Sequence, residues 1–184
     1  MIKRACHTVL AVYVLLHVVS CSNDIDKIQL LAEPEHLPLE KGKNITIIYT
    51  DSGWMKAKVV APALQRFATA TRNETELPEG VSVTFFNRNQ QPESFISARY
   101  ALRYDREHKM VAKKDVVLVN IKGDTLRTEE LFWDETEQKI YSNKSVRITT
   151  PDEIILGKGF ESNLDFSKYR IKEISGIISM KTAQ

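Results

Sequence analysis

Twice in the C-terminal half of this chain a β-like segment runs into an aromatic residue, an aspartate and a charged turn, at Tyr104-Asp105 and Trp133-Asp134; a looser third copy lies at Asp165-Phe166. The three aspartates stand 29 and 31 residues apart. At about 3.3 Å per residue, a period of that size holds two strands of moderate length and their turns. Each repeat therefore reads as one β-hairpin, and the series as a meander. After Asp105 the chain continues Arg106-Glu107-His108-Lys109-Met110, and Lys114-Asp115-Val116 opens an apolar run to Val119. After Asp134 come Glu135-Thr136-Glu137-Gln138-Lys139-Ile140, and then Lys144-Ser145-Val146 opens the next run. The second copy is one residue longer in its turn.

Alternation of apolar and polar residues extends through the chain from Asn44 onward. Asn44–Thr50 and Trp54–Val60 flank Asp51-Ser52-Gly53, a strong local hairpin signal. Pro62 interrupts the return strand, Ala63–Thr69 fits either strand or short helix, and the polar stretch Thr71–Gly80 reads as a loop. Val81–Phe86 is a further strand. In Ser94–Tyr104 the pattern places Ile96, Ala98, Tyr100, Leu102 and Tyr104 on one face, with Ser97, Arg99 and Arg103 on the other. Val116–Ile121 is apolar on both faces, and a last strand is expected over Tyr169–Ile174. No segment past residue 44 keeps a helical period, so the fold class is all-β. A sheet with one apolar face must fold over on itself, as a closed barrel or a V-shaped jellyroll. A filled interior would be a core; walls standing apart would form a groove for something apolar.

The N-terminus has a different character. The formal net charge of +2 is carried by Lys3 and Arg4, so residues 21–184 are formally neutral and give no electrostatic case for nucleic acid. Behind that basic pair, Val9–Val19 is an apolar core of eleven residues, about half of a bilayer-spanning helix. It reads as a signal peptide over residues 1–20. Val18-Val19-Ser20-Cys21 resembles the lipobox of bacterial lipoproteins, which makes Cys21 the lipidation site and membrane anchor. Residues 21–43 then form a lipidated cysteine and flexible tether, and residues 44–184 the folded domain. Cys6 and Cys21 are the two cysteines, so the domain itself holds no disulfide or thiolate site. Of the four histidines, His7 and His17 lie in the leader, His36 in the tether and His108 in a charged turn. The pattern offers no metal pair, cofactor site or catalytic triad, and Glu129-Glu130 and Asp152-Glu153 read as solvated turn residues. An enzyme is not expected.

Tyr49-Thr50-Asp51-Ser52-Gly53-Trp54, Gly123-Asp124-Thr125-Leu126 leading to Leu131-Phe132-Trp133-Asp134, and Gly157-Lys158-Gly159-Phe160-Glu161-Ser162 carry a resemblance. In their order and spacing they resemble LptC, the periplasmic component of lipopolysaccharide export, in its Bacteroidetes-type form, over about residues 44 to 176. The resemblance implies a twisted, V-shaped open β-jellyroll whose apolar interior receives lipopolysaccharide from an inner-membrane Lpt ABC transporter. It also implies transfer to an LptA-like periplasmic protein docked edge to edge. On this resemblance the interior lining would be Ile96, Ala98, Tyr100, Leu102, Val117, Val119, Leu131, Trp133, Ile140, Val146 and Ile148. The partner edges would be the strands carrying Ile45, Ile47 and Tyr49 and carrying Tyr169, Ile171 and Ile174. Many members are held by an uncleaved transmembrane helix, whereas this chain is expected to hang from the lipid on Cys21, at the periplasmic side of the inner membrane. The rival expectation is a cell-envelope β-sandwich lipoprotein with a filled core and a structural or adhesion role.

Overall fold

The computed structural model describes residues 37–69 and 71–180. The expected leader, Cys21 and the tether as far as His36 lie outside the described residues. Eleven strands follow one another: β1 (Glu40–Asp51), β2 (Trp54–Ala68), β3 (Asn73–Leu77), β4 (Val81–Phe86), β5 (Pro92–Ala98), β6 (Tyr100–Tyr104), β7 (Lys109–Asn120), β8 (Thr125–Asp134), β9 (Lys139–Thr149), β10 (Glu153–Asn163) and β11 (Tyr169–Ser179). All belong to one antiparallel sheet. From β11 the order runs through β10, β9 and β8 to β7, where the sheet forks. Val117–Asn120 of β7 pair with β5, and Lys109–Lys113 pair with β6. β5 continues to β4 and β6 to β3, and both branches rejoin on β2. The opposite edge of β2 holds β1. Two strands, β1 and β11, thus have a single partner each among the described residues.

The repeats are hairpins. Tyr104 opposite Lys109 closes β6–β7, Asp134 opposite Lys139 closes β8–β9, and Ser162 opposite Tyr169 closes β10–β11. His108 and Gln138 take equivalent left-handed positions before the closing lysines, with φ of 52° and 53°. The extra residue of the second copy has a consequence for packing. Tyr104 closes its hairpin and faces out, whereas Trp133 sits one step inside its own and faces in. A shift of one residue turns a strand's side chains to the opposite face. Asp134 instead shapes the turn, its Oδ1 accepting from the backbone N–H groups of Thr136 (3.0 Å) and Glu137 (2.9 Å).

A line of irregularities crosses five strands. Register shifts occur between Lys113 and Val116 of β7, Thr128 and Phe132 of β8, Lys158 and Phe160 of β10, and at Leu156/Gly157 against β11. Lys114 and Asp115 are both left-handed, with φ of 66° and 52°. Bulges bend strands and leave ladder groups unpaired, and here buried hydroxyls take up some of them. Thr128 Oγ1 donates to the Ser145 carbonyl at 2.9 Å, and Ser142 Oγ accepts from the Lys144 N–H at 3.1 Å. Lys114-Asp115 and Lys144-Ser145, which mark the second half of each repeat in the sequence, both lie on this line. It divides the five-stranded wall and lets it curve over β1, β2 and β4.

The curved sheet buries its main dry face against itself, and a smaller patch of Phe67, Leu102 and Val111 is buried on the other face. Trp133 of β8 is gripped edge-on between Phe85 of β4 at 4.9 Å and Tyr49 of β1 at 5.4 Å. The β10–β11 turn folds across the interior: Phe166 is buried 5.7 Å from Phe160, and the Phe166 carbonyl accepts from Asn120 Nδ2 at 3.2 Å. Ser94 Oγ donates to the Leu164 carbonyl in the same way. Each large apolar side chain so buried contributes about 1.5–3 kcal/mol.

Several elements depart from the sequence reading. Glu40–Lys43, expected to be tether, are strand, because β2 runs unbroken to Ala68 and offers them partners at Ala63–Arg66. Thr71–Gly80 contains β3, whose polar Asn-Glu-Thr-Glu-Leu sends only Leu77 into the core. Ser94–Tyr104 is two strands rather than one. The chain breaks at Arg99, whose N–H donates to the Lys114 carbonyl (3.1 Å) and whose Nε lies 2.6 Å from Asp115. β11 runs five residues beyond Ile174, to Ser179.

Two outcomes follow from this arrangement. A Cβ on Gly157 would stand 2.5 Å from Ile171 Cγ2 and 2.6 Å from the Glu173 carbonyl. Gly157→Ala is therefore expected to lose about 1–3 kcal/mol in urea denaturation, the usual range for overpacking; an unchanged midpoint would refute this close packing of β10 on β11. The Asp134 carboxyl is held below the usual range, first by the Glu137 N–H, then by Lys109 and the Thr136 N–H, with burial opposing. A depressed carboxylate stabilises the fold above its unfolded pKa of about 3.9 and loses that contribution as pH falls through the lower, folded value. Asp134→Asn should thus flatten the acid limb of stability below about pH 4, as followed by denaturation at graded pH.

Candidate functional site

The interior face is built by cross-strand pairing, since directly opposed residues share a face. One row runs Val59, Val83, Ile96, Leu118, Leu126, Ile148 and Ile155; another runs Leu77, Ala101, Ala112 and Leu131. Of the eleven residues expected to line the interior, Ile96, Leu131, Trp133, Ile140, Val146 and Ile148 are in the core, and Ala98 packs at its margin. The other four lie on the outer face. Tyr100 and Leu102 share the face opposite the main core because the break at Arg99 shifts the alternation, so that Ala101 faces that core instead; Leu102 is nonetheless buried, opposite buried Val111 on this second face. Tyr100 Oη donates to Glu76 at 3.2 Å, beside Arg72, which bonds both Glu74 and Glu76. Val117 and Val119 are outward because the Lys114-Asp115 bulge places Val116 and Leu118 in the core. Their run is apolar on both faces, so the sequence carried no sign of which set would turn in.

Most of this interior is filled. The space bordered by Val81, Val83, Ile96, Met110, Ala112, Leu131, Phe132 and Trp133 amounts to about 10 Å³. Trp133 Nε1 is buried and, among the described residues, has no hydrogen-bond acceptor.

At the β1 edge, beside the core, lies an open cavity of about 390 Å³, within the range of roughly 300–1,000 Å³ that holds small ligands. Ile47, Tyr49 and Leu64 give it an apolar wall, and Glu40, Arg66, Thr75, Arg103 and Asp105 a polar rim. Sequence reasoning missed this rim, whose members come from four strands and a turn; the alternation of Arg103 with apolar neighbours marked it as outward. Arg103 is held by a two-pronged pair to Glu135 (3.0 and 3.2 Å), by Asp105, and over the Tyr49 ring at 5.5 Å. Arg66 stands 3.9 Å from Asp105 and 3.5 Å from Glu40. Burial works against the Arg103 charge, but its bonds to Glu135, with Tyr49 and Asp105 adding to them, raise its pKa above the usual value. Burial pushes the Tyr49 hydroxyl up to about 12, with Arg103 opposing.

The two free edges differ. Ile45, Ile47 and Tyr49 of β1 turn their side chains toward the core and leave a backbone edge outside. Tyr169 and Ile171 do the same on β11, but Ile174, Ile177 and Ile178 are more than half exposed, at 58%, 56% and 54%.

A single antiparallel sheet folded over a dry interior, with two edges left unpaired among the described residues, defines a β-jellyroll. The chain matches the family model described as "Lipopolysaccharide-assembly, LptC-related" over residues 8–176, and it belongs to that family. The family acts in lipopolysaccharide transport at the cell envelope. No curated protein matches the chain.

Arg103→Met keeps the aliphatic stem but leaves Glu135 and Asp105 facing each other. A loss of about 1–3 kcal/mol is expected, between the limits for exposed and buried pairs. Restoration by Glu135→Met on that background would identify the stranded carboxylate as the cause; no loss in the single variant would show that the rim pairs are energetically idle.

Proposed function

We propose that this protein is the periplasmic lipopolysaccharide-binding component of an Lpt bridge. It takes the lipid from the inner-membrane ABC transporter and passes it to an LptA-like periplasmic protein. The observation that carries the reading is an apolar interior whose flanking Ile47, Tyr49 and Leu64 also line a cavity at the β1 edge, in a member of a lipopolysaccharide-assembly family. Each methylene kept from water is worth about 0.8 kcal/mol, so a dozen-carbon acyl chain needs a continuous dry path worth on the order of 10 kcal/mol.

The filled interior means that the walls part to admit cargo. β1 meets β8 through side chains, chiefly Tyr49 on Trp133, while its backbone bonds go to β2. Such a contact separates without breaking a ladder. The edges support transfer, because an unpaired strand accepts another by β-augmentation. On β11 the exposed Ile174, Ile177 and Ile178 form an apolar edge that a partner strand would cover. In this reading Cys21 carries the lipid anchor at the periplasmic side of the inner membrane.

The near-absence of internal space also favours a second reading, a packed envelope lipoprotein with a structural role. Photocrosslinking in cells separates the two. A benzophenone residue at Ile47, in the mouth, is expected to capture lipopolysaccharide, and one at outward Val117 is not. Folded, membrane-bound protein without adducts at Ile47 would leave the packed lipoprotein as the better account.

A further inference from the structure

Among the described residues, Trp133 has the buried side-chain polar atom without a hydrogen-bond partner, a feature that a purely apolar cargo does not explain. It is 5% exposed, and its N–H has no acceptor among the described residues. A buried donor left unpaired costs about 1–3 kcal/mol. Phe85 and Tyr49 meet the Trp133 ring edge-on, contacts far weaker than a hydrogen bond to oxygen. A trapped water is a poor partner as well. The adjoining space of about 10 Å³ is bordered by apolar side chains apart from Trp133 itself, and a held water needs two to four polar neighbours.

Trp133 also stands next to the entrance. Tyr49 lines the mouth cavity and touches Trp133, with ring centroids 5.4 Å apart, and Arg103 Cζ lies 5.5 Å from the centroid of that same tyrosine ring. The sequence of groups from outside inward is therefore two arginines with their carboxylate partners Glu40 and Asp105, a tyrosine and the indole ring. An acyl chain entering tail first would leave its head at Arg66 and Arg103, and the first few carbons behind the head would pass Tyr49 and reach Trp133.

We infer that Trp133 Nε1–H is a recognition donor for an oxygen carried on the acyl chain close to its head, such as a hydroxyl or an ester carbonyl, and that Tyr49 is the movable side chain between it and the mouth. The inference rests on the lipid-carrier reading and adds a selectivity to it. Plain acyl chains would leave the indole unpaired, and oxygenated ones would satisfy it.

The test uses the purified full chain with two probes, tetradecanoic acid and 3-hydroxytetradecanoic acid, titrated calorimetrically. The hydroxylated acid is expected to bind roughly twofold to tenfold more tightly, the ratio that one net hydrogen bond supplies. In Trp133→Phe that ratio should fall to about one while both acids still bind. Trp54, half exposed on the β1–β2 hairpin, is the second of the two tryptophans, so Trp54→Phe leaves Trp133 as the sole tryptophan, excited selectively at the red edge of the absorption band. Its emission should move further to the red with the hydroxylated acid than with the plain one, a readout that survives if Trp133→Phe does not fold. Equal affinities in the native chain, a ratio retained in Trp133→Phe, or identical emission with both acids would overturn the role given to Trp133 and leave the carrier reading intact. Binding of neither acid would overturn both.

Discussion

A sheet with one dry face has nothing to pack that face against except itself, and the rest of this structure follows from that constraint. The line of bulges from Lys114-Asp115 through Thr128 and Ser145 to Gly157 is where the wall bends. Without it the β8 residues Leu131 and Trp133 could not close on Val83 and Phe85 of β4. The bend is stabilised by specific groups. Thr128 and Ser142 occupy the released backbone positions, and Gly157 lets Ile171 and the Glu173 backbone approach.

Folding over brings charge to the rim of an apolar mouth. Arg103 is partly buried there, yet it keeps its charge because Glu135 and Asp105 offset the loss of water. The same arrangement makes the rim costly to disturb one residue at a time, since removing one partner strands the others. Tyr49 joins this polar rim to the dry interior, with its ring on Trp133 and its face toward Arg103. The closed state therefore depends on side-chain contacts that can separate while every ladder bond stays in place. That is a suitable construction for a container that must load and unload.

The unpaired edges have the same origin. Because the sheet folds over without β1 meeting β11, both retain a row of backbone donors and acceptors. β11 protects its first half with Arg170 and Lys172, with Lys168 just before it, and Arg170 pairs with Glu161 at 3.2 Å. Its second half has isoleucines and no such guard. Charged edges discourage pairing and apolar ones invite it, so the strand is divided between a protected and a receptive part.

The sequence by itself determined the all-β class, the three C-terminal hairpins and the inward set Leu131, Trp133, Ile140, Val146 and Ile148. These depend on local chemistry: alternation along a strand and a short turn that closes within a few residues, on a lysine in the first two hairpins and on Tyr169 in the third. The family resemblance, confirmed over residues 8–176, was legible for the same reason, since its motifs are turns and their flanks. The tertiary structure alone decided which way Tyr100, Leu102, Val117 and Val119 point. Their facing depends on a bulge at Lys114-Asp115 and a break at Arg99 in another strand, joined by one backbone hydrogen bond. It also decided the strand character of Asn73–Leu77, whose partners lie in β2 and β6, and the mouth, whose charged residues meet only once the sheet has folded over. Alternation is set by neighbours along the chain, but a face becomes an interior only when a second wall covers it.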